Sequence, residues 1–155
     1  MNLGTVGLAL LLAAGAGACT SDDHPARAAT RPSQPASPPT CVPTPILGDH
    51  LEGGSDDGTS VAALLERKAG GPLRAGEEVK IVVRMTGAGD LQVSATRPDG
   101  SPAAIDWGPE AHASSNFNRP GAEWGFGVTF AEPGCWTIAL SRAEAGSGYL
   151  QLEVA

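Results

Sequence analysis

Apolar and polar residues alternate along the C-terminal half of the chain, from about Val79 onward. In EVKIVVRMT, the residues Val79, Ile81, Val83 and Met85 share one face, and Val82 is the exception to the pattern. The same alternation recurs in DLQVSAT, AEWGFGVTF, CWTIALS and YLQLEVA. A period of two is typical of half-buried β-strands. These five stretches are therefore predicted to be strands.

Turn sequences separate the predicted strands, namely GAG at 87–89, PDG at 98–100 and EPG at 132–134. Only TSVAALLERK, residues 59–68, has helix-like content, and it is equally compatible with a short strand and a loop. Short strands at regular spacing with Gly and Pro turns are typical of antiparallel sandwiches and barrels. We predict an all-β fold, a small antiparallel β-sandwich of immunoglobulin-like type.

Length and charge narrow the possible classes of protein. With 155 residues, the chain allows one compact domain plus appendages. Its formal net charge of −7 disfavours nucleic-acid binding, because such binding depends on neutralising phosphates with Lys and Arg. Anionic lipid headgroups repel the same charge. Any membrane association must therefore come from something other than surface charge.

The first 18 residues are predicted to be an export signal, because an apolar run of suitable length gives way to small residues. The run is preceded by no Lys or Arg, which departs from the usual pattern. Ala16, Gly17 and Ala18 directly before Cys19 resemble the lipobox of bacterial lipoproteins, although the usual Leu is replaced by Ala16. The resemblance implies that Cys19 is lipidated, giving a lipid-anchored protein on the extracytoplasmic face of the cell membrane. The alternative is ordinary A-x-A cleavage, which would release a secreted protein.

Residues 19–45 are predicted to form a tether that follows the lipidated cysteine. The stretch 20–45 holds seven of the 13 prolines and almost no large apolar residue. Proline-rich chain is semi-extended, so the segment between Cys19 and Cys41 would span up to roughly 60 Å. The sandwich domain is predicted to occupy residues 46–155.

Two cysteines remain once Cys19 is assigned to lipid. Because an exported chain meets oxidising conditions, Cys41 and Cys135 are expected to form a disulfide. Trp136 and Ile138 point inward in the predicted strand, so Cys135 is expected to face outward or to lie at the strand's start. A metal site with two thiolates is the alternative, but it lacks nearby further ligands.

The segments RPGAEWGFGVTFAEPGCWTIAL, KIVVRMTGAGDLQVSATRPDG and CVPTP resemble secreted bacterial lipoproteins of actinobacterial type. Members of this group have a C-terminal PGCW strand, which here is Pro133 to Trp136. The resemblance covers most of residues 41–155. It implies an all-β fold and the pairing of Cys41 with Cys135, and it carries no known activity.

Residues 105–125 are predicted to be a long loop that mixes aromatic and hydrogen-bonding side chains, as binding loops do. The alternative is that its tryptophans cap the core and the rest is plain loop. The candidate binding residues are Trp107, His112, Asn116, Phe117, Asn118, Arg119 and Trp124.

No nucleophile elbow, phosphate loop or dinucleotide fingerprint occurs in the sequence, and no catalytic residue, metal site or cofactor is predicted. The leading hypothesis is a lipoprotein that serves as a non-enzymatic binding or structural module, with an unknown protein or cell-envelope ligand. A second hypothesis is a small secreted hydrolase of envelope glycans that uses two of Asp106, Glu110 and Glu123. A third is a metal or solute carrier, which would require His50 and His112 to meet.

Overall fold

The computed structural model describes residues 41–67, 71–113 and 115–155. The predicted signal peptide, Cys19 and residues 20–40 of the predicted tether lie outside these residues. Within the described chain, no helix is long and apolar enough to cross a bilayer.

Nine β-strands form two antiparallel sheets across the described residues. One sheet has the strand order β1-β2-β3-β7-β6, and the other has the order β5-β4-β8-β9. The strands are β1 (His50–Glu52), β2 (Val61–Glu66), β3 (Glu78–Met85), β4 (Leu91–Thr96), β5 (Pro102–Ala103), β6 (Trp107–His112), β7 (Ala122–Thr129), β8 (Gly134–Arg142) and β9 (Ser147–Val154).

The predicted β-sandwich is confirmed. In immunoglobulin sandwiches, strands A, B, E and D form one sheet, while C, F and G form the other. The order β2-β3-β7-β6 matches the first sheet and β4-β8-β9 matches the second, with β1 and β5 as added edge strands.

The predicted inward faces of the strands meet in one hydrophobic core between the sheets. Ile81, Val83, Phe126 and Ile138 are among its fully buried residues. Phe130 and Trp136 pack edge to face with ring centroids 5.2 Å apart, as aromatic pairs prefer. Because the strands alternate, the core uses every second residue and leaves the others on the outer face of each sheet.

The ambiguous stretch 59–68 is a strand rather than a helix over Val61–Glu66. It pairs with β3 along its whole length, from Val61 opposite Met85 to Glu66 opposite Lys80. Tertiary pairing outweighs the helix propensity of Ala and Leu here, because β3 offers a full ladder of hydrogen bonds.

The predicted loop at residues 105–125 is wrong over Trp107–His112, which form β6, and over the start of β7. The loop proper, residues 113–121, is therefore shorter than expected. The sequence pattern does not indicate β6, because it contains Gly108 and Pro109, neither of which favours a strand. The register of β6 also shifts between Trp107 and Glu110.

The disulfide between Cys41 and Cys135 is present, with the two α-carbons 5.8 Å apart. Cys135 is the second residue of β8 and lies opposite Glu153 of β9. It alternates with the buried Trp136, so it faces outward as the strand parity predicts. The bridge attaches the end of the predicted tether to the outer face of the four-stranded sheet.

Residues 41–45, which the sequence assigns to the tether, contact the edge of β9. The backbone N–H of Thr44 donates to the carbonyl oxygen of Gln151 at 2.7 Å, and the Gln151 N–H donates to the Thr44 hydroxyl at 2.9 Å. Thr44 is correspondingly buried. The segment thus covers part of an edge strand whose N–H and C=O groups would otherwise be open to pairing with another chain.

Candidate functional site

The loop between β6 and β7, described at residue 113 and residues 115–121, crosses the outer face of the five-stranded sheet. Its anchor is Phe117, which is buried against Ala62 and Val82, with Leu64 alongside. This small apolar cluster explains why Val82 breaks the alternation of β3, since its outward side chain is covered by the loop. Phe117 is therefore a packing residue and not an exposed contact.

The carboxylate of Glu123, in β7, lies under the loop and accepts a hydrogen bond from Ser115 within it. Glu123 is only 3% exposed, and such a buried charge requires partners. His112 Nδ1 lies 3.1 Å from its Oε1, and the hydroxyl of Ser115 donates to its Oε2. The guanidinium of Arg84 lies 3.9 Å from the same Oε2.

Arg84 links this cluster to the backbone of the loop. Its guanidinium donates to the carbonyl oxygen of Phe117 at 2.9 Å and to that of Gly121 at 2.6 Å. Arginine suits this role because its planar group presents several donors in fixed directions. The loop is thus held in one conformation by an ion-pair cluster on the sheet.

The presence of Ser115, His112 and Glu123 in one cluster does not make a nucleophilic triad. In such a triad the imidazole lies between the hydroxyl and the carboxylate, so that it accepts the hydroxyl proton. Here the carboxylate lies between the other two groups, because both Ser115 and His112 bond to Glu123. The arrangement orients the loop and does not activate the serine.

The two candidate tryptophans lie on strands and not in the loop. Trp107 rests on Gly127, where any side chain would overlap its indole, and its Nε1 donates to Glu78 at 2.9 Å. Trp124 faces the core, and the guanidinium of Arg142 lies 4.3 Å from its ring centroid. Trp124 is therefore not on the same surface as the loop residues.

The remaining candidates border a cavity of about 380 Å³ beside the loop. Asn116 and Asn118 are exposed, and Arg119 forms an ion pair with Glu52 at 3.0 Å. We call this region the loop surface, and it is lined by His50, Leu64, Asn116, Phe117, Asn118 and Arg119.

The geometry gives little support to the two alternative functions. Glu123, one of the three candidate carboxylates, lines a cavity of about 170 Å³. Asp106 accepts a hydrogen bond from the Thr129 hydroxyl at 2.8 Å, and Glu110 is exposed. His50 and His112 line different cavities.

Another cavity lies on the opposite side of the domain and was not anticipated from the sequence. It is an open groove of about 490 Å³ on the outer face of the four-stranded sheet. We call it the hydroxyl groove, and its lining residues are Asp56, Gln92, Val93, Ser94, Ala139, Leu140, Ser141, Ser147, Gly148 and Tyr149.

Two cross-strand rows of side chains build the hydroxyl groove. Ser94, Ala139 and Tyr149 lie directly opposite one another on β4, β8 and β9, and Gln92, Ser141 and Ser147 form the next row. Small side chains in the middle strand leave the space. The tyrosine ring lies against Gly54, which has no side chain to lift it from the sheet.

Asp57 hydrogen-bonds to Ser147 at one end of this groove. Its carboxylate accepts hydrogen bonds from the Thr59 N–H at 2.9 Å and from both the N–H and the hydroxyl of Ser147 at 2.9 Å. These bonds, first from Thr59 and then from Ser147, lower the pKa of Asp57 from 3.8 to about 2. The turn before β2 is thereby joined to the first residue of β9.

The lowered pKa of Asp57 predicts a pH-dependent contribution to stability. A carboxyl whose folded pKa is depressed stabilises the fold above its unfolded pKa of 3.8, and the contribution disappears as the pH falls through about 2. We expect Asp57→Asn to lower the urea midpoint at pH 7, and the difference from the native chain to shrink between pH 4 and pH 2.

The neighbouring variant Asp56→Asn is the matched control, because Asp56 makes no hydrogen bond within the described residues. Its midpoint should differ from that of the native chain by the same small amount at every pH. If the Asp57→Asn difference were also independent of pH, the hydrogen bonds of Asp57 would contribute nothing.

Comparison of the chain with known protein families, with curated proteins and with solved structures finds no match. The interpretation of both surfaces therefore depends on their own geometry.

Proposed function

We propose that this chain is a membrane-anchored extracytoplasmic lipoprotein that displays its β-sandwich as a non-enzymatic binding module. The observation that carries the proposal is the disulfide between Cys41 and Cys135. Disulfides persist in oxidising compartments and are rare in the cytosol. This one also lies at the residue where the proline-rich segment meets the folded domain, which is where a tethered domain would be pulled.

The anchor follows from the same division of the cysteines. Two of the three are joined to each other, which leaves Cys19 for the acyl chains that its lipobox-like surroundings suggest. Each buried methylene of an acyl chain contributes about 0.8 kcal/mol, so two or more chains anchor a protein stably. A domain with a net charge of −7 requires such an anchor to stay at an anionic membrane.

A binding role is favoured over hydrolysis by the use of the acidic groups. Glycosidases require two carboxyl groups facing each other across a cleft. Of the candidates, Glu123 is engaged by His112 and Ser115, and Asp106 is engaged by Thr129. In contrast, the described chain offers an open groove whose lining mixes polar side chains with apolar ones.

Metabolic labelling with a radioactive fatty acid tests the anchor. The native chain should carry label and sediment with the membrane fraction, whereas Cys19→Ser should lose the label and appear in the soluble extracytoplasmic fraction. Thr20→Ser is the matched control, because it alters a neighbouring hydroxyl residue and leaves the cysteine in place. An unlabelled native chain, or full membrane retention of Cys19→Ser, would contradict the proposal.

A further inference from the structure

We propose that the hydroxyl groove binds a neutral glycan chain, with Tyr149 as the surface against which a sugar ring packs. The inference rests on the proposed function for its setting, since it names the ligand of the binding module. It is independent of the loop surface, which lies on the other sheet.

Most polar side chains of the groove form no bond within the described residues, and Ser147, which bonds to Asp57, is the exception. Within the described residues, Gln92, Ser94, Ser141 and Tyr149 make no side-chain hydrogen bond, and the carboxylate of Asp56 has no partner. Together they offer hydroxyl and amide groups, which donate and accept, and a carboxylate, which accepts. A ligand with many hydroxyl groups would satisfy them without displacing any internal bond.

The arginines that contact the loop, unlike its exposed asparagines, are already engaged. Arg119 is paired with Glu52, and Arg84 bonds to the backbone carbonyls of Phe117 and Gly121. Phe117 is buried. A ligand there would have to compete with bonds that already hold the loop, which lowers the net gain from each new contact.

The groove also carries little charge. Among the described residues that line the groove, no side chain is cationic, and Asp56 is the one anion. Phosphate and carboxylate ligands are bound by Lys and Arg, so the groove disfavours them. A single exposed carboxylate also attracts a strongly basic partner only weakly. The chemistry selects an uncharged polar ligand.

The groove combines a suitable size with an exposed apolar surface. The volume of about 490 Å³ lies within the range of small-molecule sites, roughly 300–1,000 Å³. Tyr149 is 38% exposed and is held against Gly54, so little conformational entropy is lost when a ligand packs on its ring. Ala139, beside it, adds a small apolar floor. Sugar rings present apolar C–H faces with hydroxyl edges, which matches a tyrosine face surrounded by hydroxyl groups.

The test is a titration of the full-length chain carrying Cys19→Ser, so that binding is measured without an acyl chain whether or not the anchor exists. The probes are cellohexaose and chitohexaose, two neutral oligosaccharides, with inorganic phosphate as the anionic comparison. Backbone amide chemical shifts report where each probe binds. We expect a neutral oligosaccharide to shift the amides of Ser94, Ala139 and Tyr149, and phosphate to leave them unchanged.

Variants then distinguish oligosaccharide binding in the groove from adventitious contact elsewhere on the surface. Ala139→Arg fills the middle of the groove, and Tyr149→Ala removes the packing surface; each should weaken binding by at least about tenfold. Tyr149→Phe keeps the ring and should bind within a few-fold of the native groove. Ala131→Arg, at an exposed position outside the groove, adds the same charge and should bind as the native chain does.

The proposal is overturned if neither oligosaccharide shifts the groove amides, if the shifts lie only at residues 115–119, or if Ala139→Arg binds as tightly as Ala131→Arg. A failed fatty-acid labelling with intact oligosaccharide binding would remove the anchor and leave the groove standing. Intact labelling with no binding would remove the groove alone.

Discussion

Replacing both Cys41 and Cys135 by Ser is expected to lower the free energy of unfolding by about 4 kcal/mol. The bridge closes a sequence separation of 94 residues, and the chain-entropy model assigns up to about 4–5 kcal/mol to a loop of that length. The whole stability of a small domain is only about 5–15 kcal/mol. For a domain of this size, we expect the thermal midpoint to fall by roughly 10–20 °C, followed by the fluorescence of the buried tryptophans.

The bridge also holds residues 41–45 on the edge of β9. In the double variant, the bonds between Thr44 and Gln151 would no longer be supported by the neighbouring crosslink. Dithiothreitol should bring the native chain to the midpoint of the double variant, and Cys19→Ser should leave the midpoint unchanged. Equal midpoints for the native chain and the double variant would show that the bridge contributes nothing to stability.

Removing the buried carboxylate of Glu123 is expected to have the next largest effect. Glu123→Ala leaves Arg84 and His112 without their anion and Ser115 without its acceptor. Breaking a fully buried ion pair costs about 3–5 kcal/mol. Because the side chains of Arg84 and His112 are 23% and 31% exposed, water replaces part of the loss, and we expect about 2–3 kcal/mol.

The readout specific to this cluster is amide hydrogen exchange in the loop of residues 113–121. Exchange at Phe117 and Arg119 should accelerate in Glu123→Ala by more than it does at amides of the four-stranded sheet. Glu123→Gln keeps an oxygen for Ser115 and should lose about half as much stability. Glu110→Ala, an exposed residue in the neighbouring strand, is the matched control and should stay within about 0.5 kcal/mol of the native chain. Equal effects of the Glu123 and Glu110 replacements would contradict the role of the cluster.

Much of the fold could be predicted because each strand carries its own alternation. Val79, Ile81, Val83 and Met85 indicate the inward face of β3 without knowledge of its neighbours, and Trp136 and Ile138 do the same for β8. The outward position of Cys135 then follows from parity. The exception, Val82, was also informative, because an apolar residue on an outward face predicts that another segment of the chain covers it.

The strands β2 and β6 were harder to predict. Trp107–His112 carries Gly108 and Pro109, which break the pattern, and Val61–Glu66 carries residues that suit a helix equally well. Their conformation is decided by the partner strand and not by the local sequence.

The candidate site could be predicted only in part, because it depends on pairing between distant residues. Because Glu123 and Arg84 lie 39 positions apart in the sequence, no local spacing pattern predicts their contact. The polar residues near 115–119 look like a binding loop in the sequence, but several of their neighbours hold the loop in place. The outward Gln92, Ser94, Ser141 and Tyr149 are all visible in the sequence, yet their convergence on one groove requires the register of three strands.

The division of the three cysteines is the central claim, and one measurement tests it directly. The native chain is taken from the envelope fraction, digested without reduction and analysed by mass spectrometry. The account predicts an N-terminal peptide that begins with an acylated Cys19, together with a peptide pair joined through Cys41 and Cys135. Recovery of Cys19 in a disulfide, or of Cys41 and Cys135 as free thiols in envelope-derived protein, would contradict it.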